Sequence, residues 1–443
     1  MSDSLSVNPI AGRLDTSVTD IPGSKSIANR ALVCAALADG TSTLHRLAPG
    51  DDTSAMLECL RVLGAGVGLD AAAATASIAG VDGALAAGPL ALHARLAGTT
   101  SRFVTALAAL GTGSYTIDGD PPLRARPMSP LHDALRTLGA RVTPTESRGH
   151  LPVVIGGGGL RGGEVAMPGD VSSQYITALM LIAPYLPGGL AIDLTTELVS
   201  RPYVALTAEV MASFGVSAVT IGDRRITVGA GRYVAADYHI EVDASSASYA
   251  FAAAAIVGGT VVVDGLGKGS HQGDAGFAGV LASMGASVTT TRADTTISVD
   301  GPLRGIDIDM SDISDTVPSL AVVAAFAGSE TTIRGVEFIR RKETDRVAAL
   351  VTELRRCGAD VDEHPDGLTI RPAPLHGASI ETYHDHRIAM AMALVGLRVQ
   401  GIVINDPGVV SKSWPNYWGF LTAFEPEAPR NRSSVRRSYG AHS

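Results

Sequence analysis

The chain is acidic overall, with a formal charge of -9 at neutral pH. Its lysines and arginines nevertheless recur beside glycine, serine and threonine in short segments suited to anions. Pro22-Gly23-Ser24-Lys25-Ser26-Ile27-Ala28-Asn29-Arg30 opens a helical pattern. Backbone N–H groups at a helix start, hydroxyls and cations five residues apart suit a phosphate or carboxylate. A GxxxxGK[ST] phosphate loop would need a further glycine upstream, so a plain structural cap remains an alternative for this stretch. Ala97-Gly98-Thr99-Thr100-Ser101-Arg102 is another small-polar turn feeding a helix, and Arg124-Ala125-Arg126-Pro127 is a basic loop. Ser172-Ser173-Gln174 opens a helix with either serine as its cap, and Ser200-Arg201-Pro202-Tyr203 adds a hydroxyl at a further helix start. Lys342 to Arg346, Asp385-His386-Arg387 and Lys412 complete the set. One such segment means little. Cations at corresponding places along the whole chain predict a cleft that holds one or more multiply charged anions.

Asp315 and Glu343, the carboxylates inside this basic set, are the candidates for proton transfer. A carboxylate near cations has a lowered pKa, so acid work by Glu343 requires compensating burial. Each has a plainer alternative: an ion pair with Arg346 three residues on for Glu343, and the cap of a helix from Val317 for Asp315. His384 and His386 alternate around Asp385, but no third ligand stands at a recognisable spacing, so no metal site is expected. The glycines at 156–159 follow a strand without opening a helix, which favours a loop over a dinucleotide site. Cys34, Cys59 and Cys357 form no CxxC pair, and none lies in the loop 121–128, which argues against thiolate catalysis there and for a reducing compartment.

The elements that must position these residues repeat. Leu63-Gly64-Ala65, Leu138-Gly139-Ala140, Phe214-Gly215-Val216, Met284-Gly285-Ala286 and Cys357-Gly358-Ala359 each end a helical pattern before a β-branched run. A glycine there closes the helix in the left-handed conformation. A sixth copy, Gly401 to Phe424, lacks the final glycine. Short joints at Asp20–Gly23 and His239–Asp243 predict crossovers between two lobes of three units each. One lobe would hold 24–242, and the other 1–23 with 243–426. The basic stretch 427–443, with Arg430, Arg432, Arg436 and Arg437, reads as a disordered tail. At 46% apolar and 18% charged residues the chain is globular rather than disordered. Its acidity disfavours general nucleic-acid or anionic-membrane binding. The longest apolar stretch, Ala250 to Val263, is too short to span a bilayer, and the N-terminus has no signal-peptide pattern.

These segments together resemble the 5-enolpyruvylshikimate-3-phosphate synthases (3-phosphoshikimate 1-carboxyvinyltransferases) of the enolpyruvyl transferase family. The resemblance runs from about Ile21 to Phe424. It includes 22–30, 97–102, 126–127, 172–174, 200–203, 243–249, 273–278, 342–346 and 386–390. It implies an α/β fold of two lobes, each of three βαβαββ units in an inside-out α/β barrel, with the active site in the interdomain cleft. Lys25, Ser26, Arg30, Ser172, Ser173, Gln174, Ser200, Asp315 and Lys342 would hold shikimate-3-phosphate, with Tyr203 nearby. Lys25, Gly98, Arg126, Gln174, Arg346, Arg387 and Lys412 would surround phosphoenolpyruvate. Asp315 would be the base at the 5-hydroxyl, Glu343 a proton-transfer group at the methylene, and Lys25 a third catalytic residue.

No metal or organic cofactor is implied, and neither a nucleic-acid nor a membrane partner. The resemblance implies a cytoplasmic monomer in aromatic amino-acid biosynthesis, and with Gly98 present glyphosate is expected to enter the phosphoenolpyruvate pocket. Leu96, Phe338 and His384 depart from residues common in such proteins. The alternative is a related enolpyruvyl transferase acting on a UDP-sugar or a modified cyclohexene acid. The UDP-sugar branch typically carries a catalytic cysteine in the loop matching 121–128, which this chain lacks. A nucleic-acid-end binder and an inactive anion-binding relative are the remaining rivals. The first is opposed by the charge and the second by the presence of Asp315 and Glu343.

Overall fold

The computed structural model describes residues 4–48 and 50–424, so the basic stretch 427–443 lies outside the described residues. Gly64, Gly139, Gly215, Gly285 and Gly358 have φ of +103°, +105°, +90°, +112° and +92°. Each stands between a helix and an edge strand, as in Asp51–Val62 leading to Gly66–Asp70. An L side chain held in that region costs about 1–2 kcal/mol, which is why the same residue type recurs at the same corner.

Residues 90–157 show the repeated unit whole. Strand Leu90–His93, helix Gly98–Leu110, strand Gly113–Asp118 and helix Ser129–Thr137 are followed by strands Arg141–Pro144 and Val153–Gly157. The first two strands pair in parallel and the fourth lies antiparallel between the second and third. Four other sheets have this order. Two take their first strand from a distant stretch: Asp237–His239 pairs with Thr41–His45, and Leu14–Val18 with Gly259–Asp264. The sixth sheet has three strands, Ser4–Val7, Ile402–Asn405 and Ser379–Ile380.

Helices lie inside and sheets outside. Lys25–Leu37, Gly98–Leu110 and Ser173–Ile182 touch one another and are buried almost all round, as are Ala244–Val257, Val317–Ala325 and His386–Ala393. Their alanine-rich faces permit that crowding, and a helix apolar on every side must be buried. Strands such as Thr41–His45 keep alternate residues towards water. The architecture is therefore α/β with inverted layers, but among the described residues the sheets remain six separate small ones and do not close into a barrel.

Two hydrophobic cores form, one from residues between Ile27 and Ile240, the other from Val7–Ile21 together with Val242–Phe424. The chain crosses between them twice, side by side. The Asp243 amide donates to Pro22 O at 2.9 Å and the Ser24 amide to Glu241 O at 2.8 Å. A Cβ on Gly23 would fall 1.8 Å from Arg46 O, so this crossover admits only glycine.

Candidate active site

The cleft between the two cores is where helix N-termini gather. Lys25 and Ser26, Asp52, Gly98 and Thr99, and Ser173 and Gln174 stand in the first turns of four helices, with Ser200 and Tyr203 at a fifth. From the other side come Asp315, Lys342, Glu343, Arg346, His386 and Arg387. The hollow encloses about 630 Å³ including its mouth. Lys25, Arg30, Arg126, Lys342, Arg346 and Arg387 face three carboxylates, Asp52, Asp315 and Glu343, an excess of three positive charges. Unpaired N–H groups at several helix starts add to that field.

Arg346, 1% exposed, organises the acidic residues. Its Nε donates to Asp385 Oδ2 at 2.8 Å, Nη1 to Asp315 Oδ1 at 3.1 Å and Nη2 to Glu343 Oε2 at 2.7 Å. Arg387 Nη2 reaches Asp315 Oδ2 at 2.8 Å, and Lys342 Nζ lies 4.0 Å from Asp315. Burial alone would raise the Asp315 carboxyl, but Arg387, Lys342, Arg346 and Lys25 outweigh it and hold it well below the usual carboxylate range. Glu343 is treated alike by Arg126, Arg346 and Lys412. Both are therefore held as carboxylates. The Glu343–Arg346 pair exists, yet Arg126 at 3.4 Å and Lys412 at 3.6 Å make Glu343 the centre of a larger cluster. Asp315 does not cap its helix, because Thr316 occupies that position without a capping side-chain bond.

Other expected residues sort by distance from the hollow. Ser24 caps helix Lys25–Leu37, leaving Lys25 and Ser26 to face the cleft, where Lys25 Nζ meets Asp52 Oδ2 at 2.9 Å. Arg30 is pushed down to about 10 by burial, so it stays charged at neutral pH, braced by Ser26 O and Thr207. Ser172 accepts from the Gln174 amide as a helix cap and lines an adjoining hollow with Arg126 and Lys342. Lys412 lines a side pocket with Arg126 and Glu343, its Nζ bonded to Leu96 O at 2.7 Å and 3.4 Å from Asp52. Two arginines stand outside the main hollow: Arg102 lies over the Tyr175 ring at 5.4 Å, and Arg124 pairs with Asp118 at 2.7 Å. Phe338 packs against Lys342 Nζ at 5.9 Å from its ring centroid.

Sequence reasoning missed Asp52 and gave the His386 ring no role, although it named the Asp385-His386-Arg387 segment. Asp52 is 3% exposed between Lys25 and Lys412; in sequence it looks like one of two acids complementing a helix N-terminus. His386, 1% exposed, lines the cleft with neither ring nitrogen bonded. Burial first, then Lys25 and Arg387, holds its ring neutral. Gln174 Oε1 and Arg126 Nε are also buried without partners. Buried polar atoms in native proteins are satisfied, so such a group around one hollow marks where a polar ligand supplies the missing bonds. His384 is exposed beside Asp406, so the two alternate histidines share no site.

Behind this lining, Asp274 is pushed up to about 6 by burial and by the charge of Asp315. A raised carboxyl stabilises the fold most below its unfolded value and loses that contribution as pH climbs through the folded one. Between pH 5 and 7 the wild type should therefore lose stability relative to Asp274→Asn in urea unfolding. Parallel pH curves would contradict this.

A sequence profile of the family described as EPSP synthase (3-phosphoshikimate 1-carboxyvinyltransferase) matches residues 9–421. The 3-phosphoshikimate 1-carboxyvinyltransferase of Nostoc punctiforme is 46% identical over 411 residues, covering 93% of this chain and 96% of that one. The Cronobacter sakazakii protein of the same name is 43% identical over 433 residues, covering 97% and 100%. Among solved structures, EPSP synthase from Acinetobacter baumannii superposes with a TM-score of 0.80 at 27% identity, covering 95% of this chain and 97% of that one.

Proposed function

The chain belongs to the EPSP synthase family, and on that premise we propose that its cleft transfers the enolpyruvyl group of phosphoenolpyruvate to the 5-hydroxyl of shikimate-3-phosphate, releasing inorganic phosphate. It is an enolpyruvyl transferase of the shikimate pathway. The observation that carries the assignment is the excess of three positive charges among converging helix N-termini, which suits two anions that repel each other in water.

Shikimate-3-phosphate is assigned to Lys25, Ser26, Arg30, Ser172, Ser173, Gln174, Ser200, Asp315 and Lys342. Phosphoenolpyruvate is assigned to Lys25, Gly98, Arg126, Gln174, Arg346, Arg387 and Lys412. The anions offset the positive excess, which lets the Glu343 carboxyl rise towards a value at which it can carry a proton. Glu343 then gives that proton to the enol methylene, creating positive character at the adjacent carbon. The 5-hydroxyl oxygen bonds to that carbon while Asp315 takes its proton. In the resulting tetrahedral adduct the carbon–oxygen bond to phosphate breaks, a methyl proton returns to Glu343, and the phosphate leaves with the proton that Asp315 took. The departing phosphate is received by Arg346, Arg387 and Lys412. Cations fixed before the reaction stabilise these charges without reorganising, an effect of about 3–4 kcal/mol per well-placed donor. Holding both reactants together lowers the barrier further.

The two cores are read as lobes, 24–242 and 1–23 with 243–426, that close about the paired crossovers and exclude water. The protein is taken to work as a cytoplasmic monomer. A UDP-sugar acceptor is less well supported. The described cysteines are all buried, with thiols pushed up by burial to about 12 for Cys34 and Cys59 and about 11 for Cys357. The test is phosphate release: it is expected with shikimate-3-phosphate and phosphoenolpyruvate together and with neither alone, and no release from the pair would refute the reading.

Gly98 gives a sharper test of the phosphoenolpyruvate end. An added Cβ would lie 2.5 Å from Arg102 Nη1 and 2.6 Å from Arg126 Nη1, so both guanidinium groups would have to move. Overpacking of this kind costs about 1–3 kcal/mol. Gly98→Ala should therefore raise the KM for phosphoenolpyruvate and the glyphosate inhibition constant by roughly 5- to 150-fold. Steady-state inhibition curves measure both, and unchanged glyphosate affinity would move that ligand out of this pocket.

A further inference from the structure

Asp274 is 3% exposed, and its side chain makes no ion pair within 4.0 Å among the described residues. A buried carboxylate without a directly bonded cation is costly, and nothing in the assigned reaction uses it. Its contacts show what it does hold. Tyr203 Oη donates to Asp274 Oδ2 at 2.9 Å, and Ser245 Oγ donates to the same oxygen. Oδ1 has no partner. Tyr203 stands on helix Arg201–Ser213, beside the core of 27–240, whereas Asp274 lies in the turn Gly273–Gly276 of the other half. The bond therefore spans the cleft. Ser245 belongs to helix Ala244–Val257, which begins directly after the second crossover.

We propose that Asp274 is a positioning residue for the acceptor end of the site: it reaches across the cleft to hold the Tyr203 hydroxyl, tying the helix after the crossover to the tyrosine that lines the hollow. The proposal rests on the assigned reaction. Tyr203 is well placed to pass on this constraint, since its backbone oxygen accepts from Arg30 Nη2 at 3.2 Å and its ring faces the hollow containing Asp315. The neighbouring backbone leaves little slack. A Cβ at Gly273 would lie 2.5 Å from Pro202 Cβ, so the two segments meet closely where the bond forms. Burial and the Asp315 charge both disfavour ionised Asp274, while Ser245, Arg387 and Tyr203 favour it.

A double-mutant cycle tests this with Asp274→Ala, which removes the accepting oxygen, Tyr203→Phe and the combination. Each single change should raise the KM for shikimate-3-phosphate about 5- to 20-fold and leave kcat and the KM for phosphoenolpyruvate within about threefold. The double variant should be no worse than the poorer single one, because both remove the same bond. Acceptor KM within twofold of wild type, an equal rise for phosphoenolpyruvate, or effects that multiply would overturn the proposal. Urea unfolding of the ligand-free variants reads the contact without any substrate: non-additive losses support it and additive losses overturn it. If the wild type released no phosphate, the assigned reaction would fall separately, and with it the acceptor-positioning role, whatever the unfolding cycle gave.

Discussion

Asp315→Asn should lower kcat by about 10²- to 10⁴-fold, the range over which a positioned base contributes, while shikimate-3-phosphate still binds. The substitution keeps the side chain's shape and removes its capacity to take the 5-hydroxyl proton. Arg346 at 3.1 Å and Arg387 at 2.8 Å fix the two carboxylate oxygens in the wild type. In the variant one of those oxygens becomes an NH₂ facing a guanidinium. Arg387 also donates to Asp315 O at 3.3 Å, a bond the substitution leaves in place, so the cleft keeps much of its shape. Single-turnover phosphate release separates the two effects: a slow chemical step with retained acceptor binding is expected. Turnover within threefold of wild type would remove Asp315 from the chemistry and leave it as a brace for the arginines.

The second large effect concerns stability. Arg346→Met removes the partner of three carboxylates at once, including Asp385, whose side chain is 0% exposed. Breaking a buried pair by deleting one member leaves an uncompensated buried charge and costs about 3–5 kcal/mol. Glu343 retains Arg126 and Lys412, and Asp315 retains Arg387, so the loss falls chiefly on Asp385. That residue still caps helix His386–Ala393 by accepting from the Arg387 amide at 2.8 Å. Urea unfolding should show the full penalty near neutral pH. A loss below about 1 kcal/mol would mean that water or local rearrangement replaces the guanidinium. Arg346→Lys should recover only part of the loss, because an ammonium cannot serve three carboxylates in the planar geometry of the fork.

Much of this was readable in the sequence because its causes are local. Gly64, Gly139, Gly215, Gly285 and Gly358 had to be glycine for a backbone reason that depends only on the adjoining helix and strand. Lys25 stood out as a cation among small polar residues at a helix start, and Arg126 and Arg387 as cations in short basic segments of an acidic chain. What stayed hidden depended on distant partners. Asp52 gains meaning only when Lys25 and Lys412 meet it from either side. His386 fell inside two of the segments singled out, but its own ring received no role, because alternate histidines suggest a metal ligand as readily as a neutral ring against a cleft. Asp274 sits in an unremarkable turn until Tyr203 arrives from 71 residues away. Arg102 and Arg124 stand in similar segments, but one lies over the Tyr175 ring and the other pairs with Asp118, contacts their local sequence does not show. The separation of the sheets is likewise a matter of tertiary packing that the unit pattern does not encode.

Calorimetric titration of the ligand-free protein with shikimate-3-phosphate, UDP-N-acetylglucosamine and a single-stranded RNA asks most directly whether the trough selects a phosphorylated cyclohexene acid. One shikimate-3-phosphate per chain should bind, more weakly as ionic strength rises, with no heat from the other two. Saturable binding of the sugar nucleotide or the RNA, or none of shikimate-3-phosphate, would contradict the account.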